Sequence, residues 1–316
     1  MTGGMPAGRR RRHRVIRNPA AGAKKGIAQA SVSREELVAL LARHGIDAQV
    51  IETASEAETR QEARNAVRDG VDVVVAAGGD GTIGAVAEEL LGSGSALGVL
   101  PLGSVMNIPR MLDLSTDLDE AAEMLASGGV RCIDVGQANG RVFLEAASVG
   151  MNAAMFREAN RFERGDWLSV VRTIWVALRY RPARMELELD GERSVRTRAL
   201  MAVIANGPYT GLGMTVAPDA QIDDGRFDVR VFRGFSKVEL LRHLAGIAFG
   251  RWRYAPHVST FRAATARVTS AHPLPTRADS HDLGTTPLEV RVRPAVLRVV
   301  SPVPGPRPGR SRTTLP

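Results

Sequence analysis

The chain has 316 residues, 44% hydrophobic and 24% charged, with a net charge of +8. That length suggests two domains with ample material for a core. No apolar stretch reaches the roughly 20 residues of a membrane-spanning helix. A single cysteine, Cys132, excludes an internal disulfide and a cysteine-built zinc site, and in VRCID it reads as a small buried hydrophobe.

The elements begin with RVIRN, a short strand. Ser33 and Glu36 form a capping box before LVALLARHG, whose Leu37, Val38, Leu40 and Leu41 share a helix face. DAQVIE is a second strand, and Ser55 with Glu58 opens a helix that runs to about Asp69. VDVVVAA is a continuous valine-rich run, as in a parallel strand buried on both faces. A helix follows from about Ile83, then the strand ALGVL. This alternation predicts an open parallel sheet covered by helices. After about Ile133 the pattern changes to shorter runs alternating every two residues: VFLEAAS, RMELELD, RTRALMAVIA, RFDVRVF, RAATARVTS, LEVRVR and VLRVV. These predict an antiparallel β-domain, with helical insertions at about 165–180 and 236–249.

The expected organisation is a disordered basic tail at 1–13, a nucleotide-binding domain at 14–133, a β-rich domain at 134–300 and a disordered tail at 301–316. The surplus positive charge sits at the ends, on Arg9 to Arg12 and Arg14, and on Arg307, Arg310 and Arg312. Such ends are either solvated solubility tails or are drawn to anionic lipid; no nucleic-acid partner is expected. The basic N-terminal cluster lacks the apolar core of a signal peptide, so a cytoplasmic protein is expected, with peripheral contact at the inner membrane face.

Two segments carry chemistry. In Gly78-Gly79-Asp80-Gly81-Thr82, a strand ends on glycines before a helix N-terminus. Glycine permits positive φ and lets amides converge on a phosphate. Asp80 would repel that phosphate unless Mg²⁺ lies between them; a tight turn with an aspartate cap is the other reading. LPLGSVMNIPR repeats the design, with Ser104 near a helix start. Neighbouring strand ends in a parallel sheet share one crevice.

NPAAG, GGDGT, PLGSVMNIPR and APDAQIDDGRFDV, in that order, resemble the diacylglycerol kinase and YegS-like lipid kinases, a family that includes sphingosine kinases. The resemblance runs from about residue 14 to 303. It implies an α/β nucleotide domain, a C-terminal β-sandwich, and ATP-dependent phosphorylation of a lipid hydroxyl between them, with diacylglycerol to phosphatidic acid as the default. It implies that Asn18, Thr53, Gly78 to Thr82 and Ser104 contact ATP. It also implies that Asp224 binds a structural Mg²⁺, helped by the carbonyls of Gln221 and Arg226; spacing alone suggests a hairpin turn there.

The chain departs from the family at three places. Gly84-Ala85 stand where Asn-Glu is usual, and Asn107 replaces an acid. Asp279-Ser280-His281 stands where Asp-Gly-Glu supplies a general base, so His281 takes the position of the glutamate. An imidazole with a pKa near 6.5 suits that task, and Asp279 and Asp282 are further candidates. Two other readings stand beside the lipid kinase: an NAD kinase-like enzyme, since GGDGT is shared, and a nucleotide- or lipid-binding regulator with weak catalysis. Trp167, Val170, Val171, Ile174, Trp175 and Leu178 recur at helical spacing, flanked by Arg172, Arg179 and Arg181. That pattern fits an interfacial helix at anionic lipid and equally a core helix. A homodimer is left open.

Overall fold

The computed structural model describes residues 11–19, 32–163, 168–211, 213–233 and 258–302. The first half alternates as expected: β1 (His13–Arg17), α1 (Arg34–Arg43), β2 (Ala48–Glu52), α2 (Glu56–Arg68), β3 (Val73–Gly78), α3 (Asp80–Leu90), β4 (Ala96–Pro101), α4 (Asn107–Met111) and α5 (Leu118–Ser127). Strands β1 to β4 run parallel in the order β2-β1-β3-β4. Every residue of β3 and β4 is buried. The two faces of β3 feed separate cores, Val74 and Ala76 towards α2 and α3, Val73, Val75 and Ala77 towards α1 and α5.

Local chemistry sets the helix starts. Ser33 and Glu36 form the reciprocal capping box at α1, and Ser55 accepts from the Glu58 amide at α2. Leu37, Leu40 and Leu41 are buried, but Val38 is 44% exposed and lies off the packed face. Helix α3 begins at Asp80 rather than Ile83, so Asp80, Gly81 and Thr82 form its first turn.

The second half comprises β5 (Gly129–Ala138), β6 (Arg141–Phe143), β7 (Ala146–Gly150), α6 (Met151–Glu163), α7 (Leu168–Arg179), β8 (Ala183–Leu189), β9 (Arg193–Ala199), β10 (Met201–Ala205), β11 (Tyr209–Thr210), β12 (Met214–Thr215), β13 (Phe227–Phe232), β14 (Val258–Ala263), β15 (Thr265–Ser270), β16 (Pro275–Ala278), β17 (His281–Thr285) and β18 (Leu288–Ser301). An antiparallel sheet, β14-β13-β10-β7-β16-β17, packs against the β5, β8, β15 and β18 part of the large sheet. Phe143 and Phe227 stack in that core with ring centroids 5.7 Å apart. This is the expected sandwich.

Several expectations are corrected. RTRALMAVIA is two strands in different sheets, because the Leu200 amide turns to the Phe232 carbonyl. LEVRVR and VLRVV are one strand, β18, interrupted by a bulge. Strand β18 pairs with β15 and β5 near its start, and with β5 and β4 near its end. The large sheet therefore runs through both halves, and the boundary expected at 133/134 falls inside β5. Within the tail expected at 1–13, Arg11 to His13 pack on the sheet domain: Arg11 bonds the Gly128 carbonyl and Arg12 the Gly70 carbonyl, and next to them Arg14 pairs with Asp69. Cys132 is exposed, because alternation along β5 turns it outward while Ile133 turns in. The helix expected at 165–180 is α7, with Trp167 outside the described residues, as are 236–249 and the tail from 303. No helix among the described residues is long and apolar enough to cross a membrane.

Phe227 is fully buried against Phe143. Phe227→Ala should lower unfolding free energy by about 3–5 kcal/mol, read by urea denaturation; a loss below about 1 kcal/mol would mean that the sandwich core repacks around the gap.

Candidate active site

The ends of the parallel strands gather the expected nucleotide residues. Asn18 follows β1, its amide donating to Ala77 at 3.4 Å. Thr53 follows β2; it is buried, its amide donates to Arg17 at 2.9 Å, and its hydroxyl lies 2.8 Å from the Thr59 hydroxyl. Leu102 donates to Gly78 at 3.1 Å, which joins the two glycine loops. A Cβ on Gly103 would come within 2.6 Å of the Gly79 Cα, and one on Gly78 within 2.6 Å of Thr82. Close approach, rather than positive φ, demands glycine here: none of Gly78, Gly79, Gly81 and Gly103 has positive φ, whereas Met106 in the second loop does.

Helix α3 starts without a side-chain cap. The amides of Asp80, Gly81 and Thr82 donate to no described residue, and Gly81 is exposed with open space beside it. These donors and the helix dipole favour negative charge at this end of α3, beside Ser104, which is exposed. The Asp80 carboxylate turns the other way. It accepts from the Asn107 amide at 3.0 Å and the Ile108 amide at 2.9 Å, capping α4. Burial pushes its pKa up, while these amides and the Arg110 charge pull it back.

The facing wall is built around the β6–β7 link. Asp279 accepts from the amides of Leu144, Glu145 and Ala146 at 2.8, 3.0 and 3.1 Å. Part of the Asp279 residue surface is accessible, but its carboxylate is packed in, and burial raises its pKa. Glu145 is 7% exposed; its Oε2 accepts from Asn107 Nδ2 at 2.9 Å and the Gly211 amide at 3.2 Å. Burial first, then the charges of Asp279 and Asp80, hold the Glu145 pKa well above the usual carboxylate range. Asn107 thus links the walls, its amide on Asp80 and its side chain on Glu145. His281 opens β17, with Nε2 4.0 Å from Glu56 Oε1 on α2. Burial lowers its pKa, followed by the positive charge of Arg141, so the ring is neutral at pH 7.

The loop expected to hold a structural Mg²⁺ is already charge-balanced. Asp224 accepts from the Arg226 amide at 3.0 Å and from the Arg262 guanidinium. Gln221 and Arg226 are exposed and offer only carbonyls to that set. Among the described residues no group of three carboxylate, histidine or cysteine side chains converges for a metal ion. As folded, this donor set does not fit a divalent cation, because Arg262 stands where its charge would.

Residues 12–138 match the family described as diacylglycerol kinase catalytic domain. Residues 145–301 match the YegS C-terminal NAD kinase beta sandwich-like domain. The chain belongs to the diacylglycerol kinase and YegS-like lipid kinase family. A diacylglycerol kinase of Mycobacterium tuberculosis is 28% identical over 311 residues, covering 94% of this chain and 99% of the relative. A diacylglycerol kinase of Bacillus subtilis is 28% identical over 241 residues, 73% of this chain and 77% of the relative. The crystal structure of a diacylglycerol kinase from Bacillus anthracis shares the fold, with a TM-score of 0.68 at 18% identity over 92% of this chain and 96% of that one.

Sequence reasoning for this family member missed Glu145 and Arg277. The signal for Glu145 was present, a lone acid inside the apolar run VFLEAASVG. Arg277 sits in PLPTRADS, where no periodicity marks it.

Two outcomes follow from these charges. A raised folded pKa means that Glu145 favours folding below its unfolded pKa of about 4.3 and that this contribution is lost as pH rises through the folded value. Glu145→Gln keeps both accepted hydrogen bonds, so it should melt several degrees above the parent at pH 8, the gap closing towards pH 4; equal melting at both pH values would show Glu145 to be unstrained. Without nucleotide, the melting temperature of the parent should be unchanged between EDTA and millimolar Mg²⁺, whereas that of Arg262→Ala should rise with Mg²⁺. A Mg²⁺-dependent parent would show that the ion displaces Arg262.

Proposed function

We propose that the protein is an ATP-dependent lipid kinase that moves the γ-phosphoryl group of MgATP to a lipid hydroxyl, converting diacylglycerol to phosphatidic acid. The observation that carries this reading is the uncapped N-terminus of α3, with free amides at the strand ends and Asn107 tying that loop to the buried acid Glu145. The amides of Asp80 to Thr82 take phosphate oxygens, and Asn18, Thr53 and Ser104 shape the surrounding crevice. Magnesium enters with the nucleotide as part of the substrate. Asp80 would act on that ion indirectly, by holding the second glycine loop in place through the Asn107 and Ile108 amides.

The lipid hydroxyl oxygen forms the new P–O bond, the bond to the β-phosphate oxygen breaks, and the hydroxyl proton passes to a base. His281 is the group we assign, since its ring is neutral and partly exposed. Asp279 spends its oxygens on three amides, so it fixes the wall and places His281 two residues on. The family's relatives named as diacylglycerol kinases support the reaction class. Membrane access is assigned to α7, where Trp175 is 55% exposed with the Arg179 guanidinium 4.6 Å from its ring centroid. That pair suits the headgroup layer of the inner face of an anionic membrane.

The test is incubation with Mg²⁺, ATP labelled in the γ-phosphate and dioctanoylglycerol, reading labelled phosphatidic acid. Asp80→Asn should lower kcat/KM by roughly 100-fold or more, and His281→Ala by about 100-fold. Labelled product from the parent but undiminished turnover in Asp80→Asn would remove Asp80 from the mechanism; the same result in His281→Ala would place the base elsewhere.

A further inference from the structure

Arg277 lies on β16 with 4% of its surface exposed. A buried guanidinium is costly unless its donors are matched. Arg17, buried to a similar degree, spends its donors on Glu52 and the Val32 carbonyl. Arg277 makes no hydrogen bond or ion pair with any described residue. One face rests on the Phe156 ring of α6, 3.8 Å from the centroid. None of its nitrogens is among the sealed, unpartnered polar atoms of the interior, so its N–H groups look into accessible space.

The surrounding acids do not take those donors. Asp279 gives its oxygens to three amides, and Glu145 Oε2 accepts from Asn107 and Gly211. Both acids act on Arg277 through space, yet neither accepts a hydrogen bond from its guanidinium. The β7–β16 register sets Arg277 opposite Ser148, whose buried hydroxyl also lacks a partner. Cross-strand partners present their side chains on one face. Two unsatisfied donors therefore lie side by side beneath α6. Glu145 lies within the electrostatic reach of both Asp80 and Arg277. Arg277 stands two residues before Asp279, whose amide and carboxylate bind the 144–146 backbone, so it belongs to the wall that carries Glu145.

We propose that Arg277 is a phosphoryl-binding residue on the acceptor side of the cleft, holding the phosphate of the phosphorylated lipid. A planar fork of donors suits phosphoryl oxygens. The assignment of the lipid rests on the kinase reading above; the anion site itself rests on Arg277 alone.

The test uses the purified full-length protein, Arg277→Gln and Arg277→Lys. Calorimetry measures the binding of dioctanoyl phosphatidate below its micellar concentration, of inorganic phosphate and of MgATP. The parent should bind phosphatidate, Arg277→Gln at least tenfold more weakly and Arg277→Lys less so, with MgATP affinity changed by less than twofold. Parallel loss of inorganic phosphate supports recognition of the phosphoryl group by itself; binding of phosphatidate without inorganic phosphate supports the lipid headgroup as its source. The proposal is overturned if the parent binds neither anion or if Arg277→Gln binds phosphatidate unchanged. It is also overturned if that variant loses phosphatidate and MgATP by the same factor. Failure of the kinase reading looks different: no labelled lipid from the parent, with phosphatidate binding and its dependence on Arg277 intact.

Discussion

The two hydrogen bonds from Asn107 and Ile108 to the Asp80 carboxylate hold the candidate site together. Asp80 belongs to the first glycine loop and the amides to the second, so one acid welds both loops into a single crevice. The weld works only because Gly103 lets the backbones touch at Gly79. It also frees α3 from its own acid: the carboxylate caps the neighbouring helix, and the α3 amides stay open to an anion. Asn107 then carries the connection across the cleft to Glu145.

That connection needs the two walls in fixed register, which the long β5–β18 ribbon supplies. Asp134 sits at its middle, 3% exposed, accepting from the Ala295 amide at 2.7 Å and the Gly225 amide at 2.6 Å. Its carbonyl accepts from Asn206 Nδ2 at 3.1 Å, and the same amide reaches the Leu144 carbonyl at 3.0 Å. A ladder of buried polar contacts therefore runs from the bulge in β18 to the residue before Glu145. The ladder ties β5 to β18 and to the link before β7, although Asn206 Oδ1 is buried without a partner; fixed register is what a phosphoryl-transfer site requires, since positioning and charge neutralisation do most of its chemistry.

Much of this was legible in the sequence, because it depends on local chemistry. Capping boxes, the valine run of β3 and the glycine spacing all act over a few residues, and the helices and loops appear where those signals place them. Period-two alternation likewise marked most strands of the sandwich. What escaped depends on contacts remote in the chain. Alternation could not say that β9 and β10 part at Leu200, nor that β18 continues through its bulge, because pairing partners decide both. Asp80 was read as a metal ligand or a cap of its own turn; that it caps α4, 27 residues on, is a tertiary fact. Arg277 carries no local mark, since its meaning lies in the absence of a partner, which only packing reveals. Arg262 was invisible for the same reason, because Asp224 lies 38 residues away.

The path of β18 has a consequence for synthesis. Val299 pairs with Leu97, so the parallel sheet of the first half is completed by the end of the last strand of the second. As the ribosome extends the polypeptide, β4 waits with an unfilled edge until its distant neighbour emerges. Neither half is a detachable cassette: a fragment ending after β5 would expose a row of unpaired amides and carbonyls, an invitation to clump with its siblings.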